Sequence, residues 1–267
     1  MENYTGFISI LQITDLHILP NPGDKLLGID TEYYFHAVLE HAFAAAPHFD
    51  LLLLTGDLAQ HPCLSSYLRI LNSLAAFNIP CVCLPGNHDD YDLMQQVLNT
   101  ALVNCNKQVL LDNWQLISLN SQIPGAPEGR LSYEELLFLE KCLTAYPNHY
   151  ALIAVHHHCR PTGSVWMDTL MIENSTALLS LIGKYPNVKA VTCGHIHQAM
   201  DMAIDSVRVM GTPSTCFQFK PESTVFSVDD TAPGFRIIKL YPDGRIESEI
   251  QRLPGQLPGL QTEQHGY

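Results

Sequence analysis

The stretch CLPGNHDDYD, residues 83 to 92, carries an apolar run into a cluster of amide, imidazole and carboxylate side chains. Residues 79 to 84 predict a buried strand, which the following Pro-Gly pair ends. The next three residues are Asn87, His88 and Asp89. One cluster of this kind is usually no more than a polar turn. Its meaning therefore depends on whether other strands of the chain end in the same way.

Buried strands are predicted at six places, and most of them end in polar residues. The apolar runs cover residues 7–14, 50–55, 79–84, 116–119, 151–155 and 188–193. The side chains that follow five of these runs are Asp15 and His17, Asp57, Asn87 and His88, His156 to His158, and His195 and His197. Open α/β sheets bind their ligands at the carboxyl ends of the strands. We therefore expect these five clusters to converge on one site.

Helical periodicity appears between the strands, over residues 32–46, 64–77, 132–145 and 175–185. Ser132 followed by Glu135 predicts a capping box at the third helix. The alternation of strands and helices predicts a largely parallel sheet. Beyond residue 198 four short strands are predicted, over residues 199–204, 207–211, 235–241 and 245–252, the last two forming a hairpin. We expect one domain over residues 1–252 and a flexible tail over residues 253–267.

The composition is acidic, with a net charge of −13 over 267 residues. A nucleic-acid groove needs a basic face, so no nucleic-acid partner is expected. If the substrate is an anion, bound metal is the obvious source of local positive charge. No run reaches the roughly 18 apolar residues of a membrane span, and the N-terminal apolar stretch reads as the first strand rather than a signal peptide. We therefore expect a cytoplasmic protein with no membrane partner, whose eight cysteines are reduced thiols.

The residue types in the five clusters favour a centre of two metal ions. In an extended segment, residues i and i+2 point to the same side, so Asp15 with His17 and His195 with His197 can each reach one point. Two carboxylates, one amide oxygen and at least four imidazoles are too many ligands for one ion. Nitrogen and oxygen donors without thiolate suit Mn, Fe or Zn. Two such ions can clamp a phosphoryl group, and Asp57 is the best candidate for a shared ligand.

The order of the motifs resembles the calcineurin-like metallophosphoesterase family. The shared motifs are D-x-H at Asp15 and His17, G-D at Asp57, G-N-H-D at Asn87–Asp89, H at His156, and G-H-x-H at His195 and His197. A lone D-x-H or H-x-H is usually a surface turn, whereas the ordered set is highly specific. The resemblance covers residues 7–252. It implies a four-layer α/β sandwich, in which two mixed β-sheets lie face to face with helices outside.

The resemblance also implies a role for each donor. One metal would be held by Asp15, His17, Asp57 and His197, and the other by Asp57, Asn87, His156 and His195. His88 would act on the phosphate as an electrostatic partner or general acid. Substrate contacts are expected from Asn87, His88, His195 and His17. Among the three consecutive histidines His156 is preferred because it comes first out of the strand, with His157 as the alternative.

Further segments are similar to the class III cyclic nucleotide phosphodiesterases, among them HHHCRPTGSVWMD and TPSTCFQFKP. This implies hydrolysis of 3′,5′-cyclic AMP to 5′-AMP by attack of a metal-bound hydroxide on phosphorus. Trp166 and Phe217 either stack on a purine or lie in the core, and Ser214 and Thr215 either bind substrate or satisfy their own turn. The alternatives are a broader phosphodiesterase, acting on 2′,3′-cyclic nucleotides or glycerophosphodiesters, and a non-catalytic scaffold. Neither metal identity nor oligomeric state can be read from the sequence.

Overall fold

Two six-stranded β-sheets lie face to face in the computed structural model, which describes residues 6–46 and 48–263. The first sheet has the spatial order β16 (Ile246–Arg252), β15 (Gly234–Leu240), β1 (Ile8–Ile13), β4 (Leu51–Thr55), β5 (Cys81–Leu84) and β6 (Val103–Asn104). The second has the order β11 (Met200–Ile204), β12 (Val207–Gly211), β10 (Val188–Cys193), β9 (Tyr150–Val155), β8 (Trp114–Leu119) and β7 (Gln108–Leu111).

Both sheets are mixed. Strands β1, β4, β5 and β6 are parallel to one another, and β15 and β16 add an antiparallel hairpin beside β1. In the second sheet β8, β9, β10 and β12 are parallel, with antiparallel β7 and β11 at its edges. Two small hairpins complete the strands: β2 (Lys25–Leu26) with β3 (Ile29–Asp30), and β13 (Gln218–Phe219) with β14 (Val228–Asp229).

Helices cover the outer face of each sheet. They are α1 (Thr31–Ala45), α2 (Leu64–Ala75), α3 (Tyr91–Val97), α4 (Tyr133–Ala145) and α6 (Ser175–Ile182). The one-turn helix α5 (Val165–Asp168) packs instead in a cluster with Phe217 and Phe219. One core cluster packs α1, α2 and α3 on the first sheet, and a second packs α4 and α6 on the other sheet. A third fills the space between the sheets, where Leu53 of β4 and Leu152 of β9 are both fully buried. The predicted four-layer α/β sandwich is therefore confirmed.

Polar side chains also join the two sheets at their centre. Gln12 of β1 donates to Thr55 Oγ1 (3.0 Å) and to the carbonyl of Cys193 in β10 (3.3 Å), and its own amide oxygen accepts from Thr192 (2.6 Å). Because β1 and β10 belong to different sheets, this buried amide ties together the two strands that carry the D-x-H and H-x-H motifs.

The sequence located all six buried strands and four helices to within a few residues. It missed the β2–β3 and β13–β14 hairpins, the helices α3 and α5, and the short edge strands β6 and β7. Only half of the predicted capping box forms. Ser132 accepts from the Glu135 backbone N–H (3.2 Å), but the Glu135 carboxylate accepts instead from Asn120 N–H (3.0 Å) and Lys107 (2.5 Å). The Glu135 carboxylate binds the charged Lys107 side chain instead of an N–H group at the start of its own helix, because charge-assisted hydrogen bonds are the stronger ones.

Residues 253–261, which the sequence analysis assigns to a tail, contact the β2–β3 hairpin. Leu257 is buried beside Leu27 and Ile29, and the Gln261 N–H donates to the carbonyl of Leu27 (2.9 Å). The end of the tail, residues 264–267, lies outside the described residues. The single-domain boundary and the flexibility of the tail stay predictions.

All eight cysteines are free thiols, and six of the eight are buried in the core clusters. Across residues 6–46 and 48–263, no helix is long and apolar enough to cross a bilayer.

Candidate metal centre

The carboxyl ends of five strands bring the predicted donors together, as the sequence analysis expects. His197 Nε2 lies 3.4 Å from Asp15 Oδ1 and 3.2 Å from His17 Nε2. His156, which follows a strand of the second sheet, has its Nε2 3.3 Å from Asp57 Oδ2. The same nitrogen lies 3.2 Å from Asn87 Oδ1. Donor atoms of Asp15, Asp57 and His156 all fall within 4.8 Å of one another, so Asp57 stands between the two donor sets.

The backbone of this site is not extended, and on this point the sequence reasoning is wrong. Five predicted ligands have a positive φ: Asp15 (54°), His17 (48°), Asp57 (51°), His195 (67°) and His197 (47°). The donor pairs therefore reach the site from left-handed turns and not by strand alternation. Left-handed non-glycine residues are uncommon and gather at functional sites. Backbone bonds hold the turns in place, from Asp15 N–H to Gly56 O and from His17 N–H to Asp57 O (3.0 Å each).

Gly56 and Gly86, two of the glycines that precede donors, serve different purposes. Gly56 has φ 93° and makes the turn into Asp57. Gly86 does not adopt a left-handed conformation. A Cβ at Gly86 would lie 2.1 Å from Asp57 Oδ1, so this glycine permits the close approach of the carboxylate. The carboxylate also accepts from the His88 backbone N–H (2.9 Å).

Three of the four donor histidines are oriented by a partner on the other ring nitrogen. Nδ1 faces Gln60 Oε1 in His17 (2.6 Å), the Phe217 carbonyl in His197 (2.8 Å) and the Thr55 carbonyl in His156 (2.8 Å). These oxygens accept, so Nδ1 carries a proton in all three rings, and Nε2 is the nitrogen left to face the site. The sequence analysis did not single out Gln60, although it lies only three residues after Asp57.

These orientations fit metal ions. The Nε2 atoms of His17 and His197 face each other, and that of His156 faces the oxygens of Asp57 and Asn87. Two acceptors at such distances repel, and a cation between them, a metal ion or a proton, removes the repulsion. His195 Nε2 is buried without a hydrogen-bond partner among the described residues. Oriented Nε2 donors and ionised carboxylates are the ligand set of first-row metals such as Mn, Fe or Zn.

The electrostatics also favour cations. Burial opposes ionisation of both carboxylates, but His197 lowers the pKa of Asp15 and His156 lowers that of Asp57 well below its usual value. Burial lowers the pKa of His17 to about 3 and that of His195 well below its ordinary value, so both rings are neutral. For His156, burial lowers the pKa but the Asp57 carboxylate outweighs it and raises the value to about 9. A proton on His156 therefore competes with a metal.

His157, the alternative ligand, is turned toward other partners. Its Nδ1 lies 2.7 Å from Ser121 Oγ and its Nε2 lies 3.2 Å from the Pro127 carbonyl. One ring nitrogen is within 4.8 Å of donor atoms on His156 and His195, but both nitrogens are already engaged. The geometry favours His156 as the ligand.

Asp89, next to the predicted site residues, holds the loops that carry them. Its carboxylate accepts from the backbone N–H groups of Leu58, Ala59 and Gly86 and from the hydroxyl of Tyr67, at 2.9 to 3.1 Å. Burial and the Asp57 charge raise the pKa of Asp89 to about 6. The Asp of the G-N-H-D motif thus links the Asp57 and Asn87 loops.

A cavity of about 480 Å³ opens beside the donors. Asn87, His88 and His195 line it, together with the apolar residues Ala126, Pro127, Trp166, Met167, Leu170, Phe219 and Phe226. His17, which was also predicted to contact substrate, is fully buried and is not in this lining. The His88 ring is half-buried and packs edge-on to His17, with 5.1 Å between centroids.

The two alternatives left open for Trp166 and Phe217 resolve differently for the two residues. Trp166 lines the cavity, but Phe217 is fully buried and packs on the rings of His17 and His197 (5.9 and 5.0 Å), so it belongs to the core. Phe219 and Phe226 line the cavity instead. Ser214 donates to the Asp15 carbonyl (2.8 Å) and accepts from Cys216 N–H (2.9 Å), which is the structural alternative for that residue. Thr215 is also fully buried.

The sequence profile of the Calcineurin-like phosphoesterase family matches residues 8–199, and the chain belongs to that family. It is 40% identical over 264 residues to the 3′,5′-cyclic adenosine monophosphate phosphodiesterase CpdA of Escherichia coli (strain K12), covering 97% of this chain and 95% of the relative. It is 42% identical over 247 residues to CpdA of Vibrio vulnificus (strain CMCP6), covering 92% and 90%. The crystal structure of a dimetal phosphatase from Danio rerio shares the fold, with a TM-score of 0.60, 14% identity and coverage of 92% and 98%. The resemblance found in the motifs is thus confirmed.

Proposed function

We propose that the chain hydrolyses 3′,5′-cyclic AMP to 5′-AMP at a centre of two divalent metal ions. The observation that carries this proposal is the aromatic cavity that opens onto a complete set of oriented metal donors. The names of the full-length relatives support the same substrate. Fe, Mn or Zn suits the mixed nitrogen and oxygen ligands.

The proposed ligands follow the two donor groups of the site. Asp15, His17, Asp57 and His197 would hold one ion, and Asp57, Asn87, His156 and His195 the other. When bound, such a pair supplies an activated water and neutralises charge on the phosphoryl oxygens. The donors themselves are held rigid by Gln60, Thr55 and Phe217, which spares the site reorganisation during the reaction.

The cavity provides a place for a nucleotide. Trp166, Phe219 and Phe226 pack with ring centroids 5.0 to 5.5 Å apart and offer apolar surface to a purine. Asn87, His88 and His195 lie at the polar side of the same cavity. We infer that the base contacts the aromatic residues while the phosphate faces His88. The His88 imidazole can then stabilise or protonate the departing 3′-oxygen.

The test is hydrolysis of cyclic AMP by the purified chain supplied with Mn²⁺ or Fe²⁺, followed by chromatographic separation of 5′-AMP from 3′-AMP. The expected product is 5′-AMP, because expulsion of the 3′-oxygen leaves phosphate on the 5′ side. Predominant 3′-AMP would contradict the assigned leaving group. Asp57→Asn, purified in the same way, controls for contaminating phosphodiesterase.

The same assay separates the alternatives. Faster cleavage of 2′,3′-cyclic nucleotides or glycerophosphodiesters would identify the broader enzyme. Absence of turnover on all diesters, with metal bound, would identify a scaffold, which the intact donor set argues against. A cytoplasmic location and the absence of a nucleic-acid partner stay predictions.

A further inference from the structure

We propose that His157 is a positioning residue, which holds the segment of residues 125–127 in place as one wall of the substrate cavity. This inference rests on the proposed function, because the wall matters only if the cavity receives a nucleotide. It gives the second of three consecutive histidines a role distinct from that of its neighbour His156.

The hydrogen bonds of His157 fix its tautomer. The Pro127 carbonyl can only accept, so Nε2 of His157 carries the proton and donates across 3.2 Å. Nδ1 then accepts from the Ser121 hydroxyl at 2.7 Å. Both nitrogens are thereby occupied and neither offers a lone pair to a metal.

The wall is part of a loop whose two ends lie side by side. Gln122 and Gly129 pair as an antiparallel bridge, which brings together the two ends of this loop. Gly129 lies against the His157 ring, since a Cβ there would be 2.4 Å from the ring Cγ. Pro127 itself is exposed, so its bond to a fully buried imidazole joins a surface loop to the metal-binding end of β9.

The same loop faces the substrate cavity. Gly125, Ala126 and Pro127 line the cavity together with Asn87 and His88. Within the loop, Ala126 N–H donates to the Ile123 carbonyl (3.0 Å), which closes a turn, and the Gln122 side chain ties the base of the loop to Gly86 and Asp89. The His157 hydrogen bond reaches Pro127, which itself lines the cavity. Without this hydrogen bond the segment is less ordered before substrate binds. Ordering it then reduces the binding free energy, so the affinity for substrate falls.

The experiment compares His157→Phe with His157→Gln on two substrates, cyclic AMP and the small diester methyl p-nitrophenyl phosphate. Phe keeps the ring without hydrogen bonds, whereas Gln can still donate to Pro127. We expect His157→Phe to raise KM for cyclic AMP about tenfold, with kcat changed less than KM, the size of effect given by one lost buried hydrogen bond. His157→Gln should recover most of the loss. Metal content and turnover of the small diester should match wild type in both variants.

The matched control is His149→Phe, the same substitution at the other end of β9, which should leave KM unchanged. If His157→Phe does not fold, His157→Asn carries the test, because Asn is too short to reach Pro127. Loss of a metal equivalent, or an equal loss on both substrates, would overturn the proposal. If wild type cleaves the small diester but not cyclic AMP, the proposed function fails, and this inference fails with it.

Discussion

At the scale of single residues, Asp57 has the most connected position in the site. Its Oδ2 lies 3.3 Å from His156 Nε2 and 3.9 Å from His17 Nε2, and these histidines belong to different donor sets. Its Oδ1 accepts from the His88 backbone N–H. A change at Asp57 therefore acts on both proposed ions and on the loop that carries Asn87 and His88.

Asp57→Asn should remove most activity and reduce the content of both metals. The amide of Asn is neutral, and its nitrogen replaces one carboxylate oxygen. That nitrogen would direct an N–H group, instead of an oxygen lone pair, at one of the two donor sets. By comparison, Asn87→Ala should mainly reduce one metal, because Asn87 contacts only the second donor set. Elemental analysis of the two purified variants, alongside kcat on cyclic AMP, measures the difference. Full occupancy of both ions in Asp57→Asn would show that Asp57 is not shared.

His88→Ala should lower kcat without removing metal. The ring lines the cavity, and its removal deletes one contact to the developing charge, an effect of about 10²–10³ in rate. A ring nitrogen of His88 is also within 4.8 Å of donor atoms on His17 and Asp57. Metal content therefore decides the role: loss of a full equivalent in His88→Ala would make His88 a ligand.

At the scale of elements, the sequence identifies the strands that end in donors but not how their ends are shaped. Apolar runs and motif order were sufficient to find β1, β4, β5, β9 and β10. The left-handed turns at Asp15, His17, His195 and His197 were not predicted. Those at Asp15, His17 and His195 are held by backbone N–H bonds to residues far away in the chain, which no local pattern shows. Phe217 and Phe219 are two residues apart, and only packing reveals which lines the cavity. Short edge strands such as β6 have too few residues to show periodicity.

Asp168 organises the segment before Trp166, and its ionisation should make that segment sensitive to acid. The carboxylate accepts from Thr162 N–H (2.7 Å), the Thr162 hydroxyl (2.8 Å) and Gly163 N–H (3.1 Å), and lies 3.6 Å from His158. Burial opposes ionisation, but His158 and these donors outweigh it and lower the pKa of Asp168 below its usual 3.8. A lowered pKa contributes stability above the unfolded value and loses it as pH falls through the folded value.

Asp168→Asn should therefore cost about 1–2 kcal/mol of unfolding free energy at pH 7. The difference from wild type should shrink as pH falls below about 3.8. Urea unfolding of both proteins across this range, after removal of metal from each, measures the difference. A gap between the two curves that stays constant to pH 2 would contradict the assignment.

At the scale of the whole molecule, the donors come from both sheets. Asp15, His17, Asp57 and Asn87 follow strands of the first sheet, and His156, His195 and His197 follow strands of the second. Bound ions would join the two layers at the same edge where Gln12 already bridges them. Metal binding is then linked to the stability of the sandwich, and not only to activity.

Exhaustive chelation should lower the melting temperature by about 10 °C, the effect of losing roughly 4 kcal/mol of binding free energy at saturating metal. Differential scanning calorimetry before and after chelation measures the shift, and re-addition of Mn²⁺ should reverse it. Asp57→Asn should respond less. An unchanged melting temperature in wild type would show that the ions do not cross-link the sheets.

The antiparallel pairing of β1 with β15 has a consequence for how the protein is made. β1, which leads into Asp15 and His17, pairs residue 8 with residue 240. Every proposed ligand has been synthesised once residue 197 leaves the ribosome, yet β15, the antiparallel neighbour of β1, is not complete until some forty residues later. A nascent chain therefore carries the entire ligand set before its first sheet can close. A gene fragment chosen to span the motifs alone would encode all the metal chemistry and leave β1 with a bare edge, open to pairing with other chains.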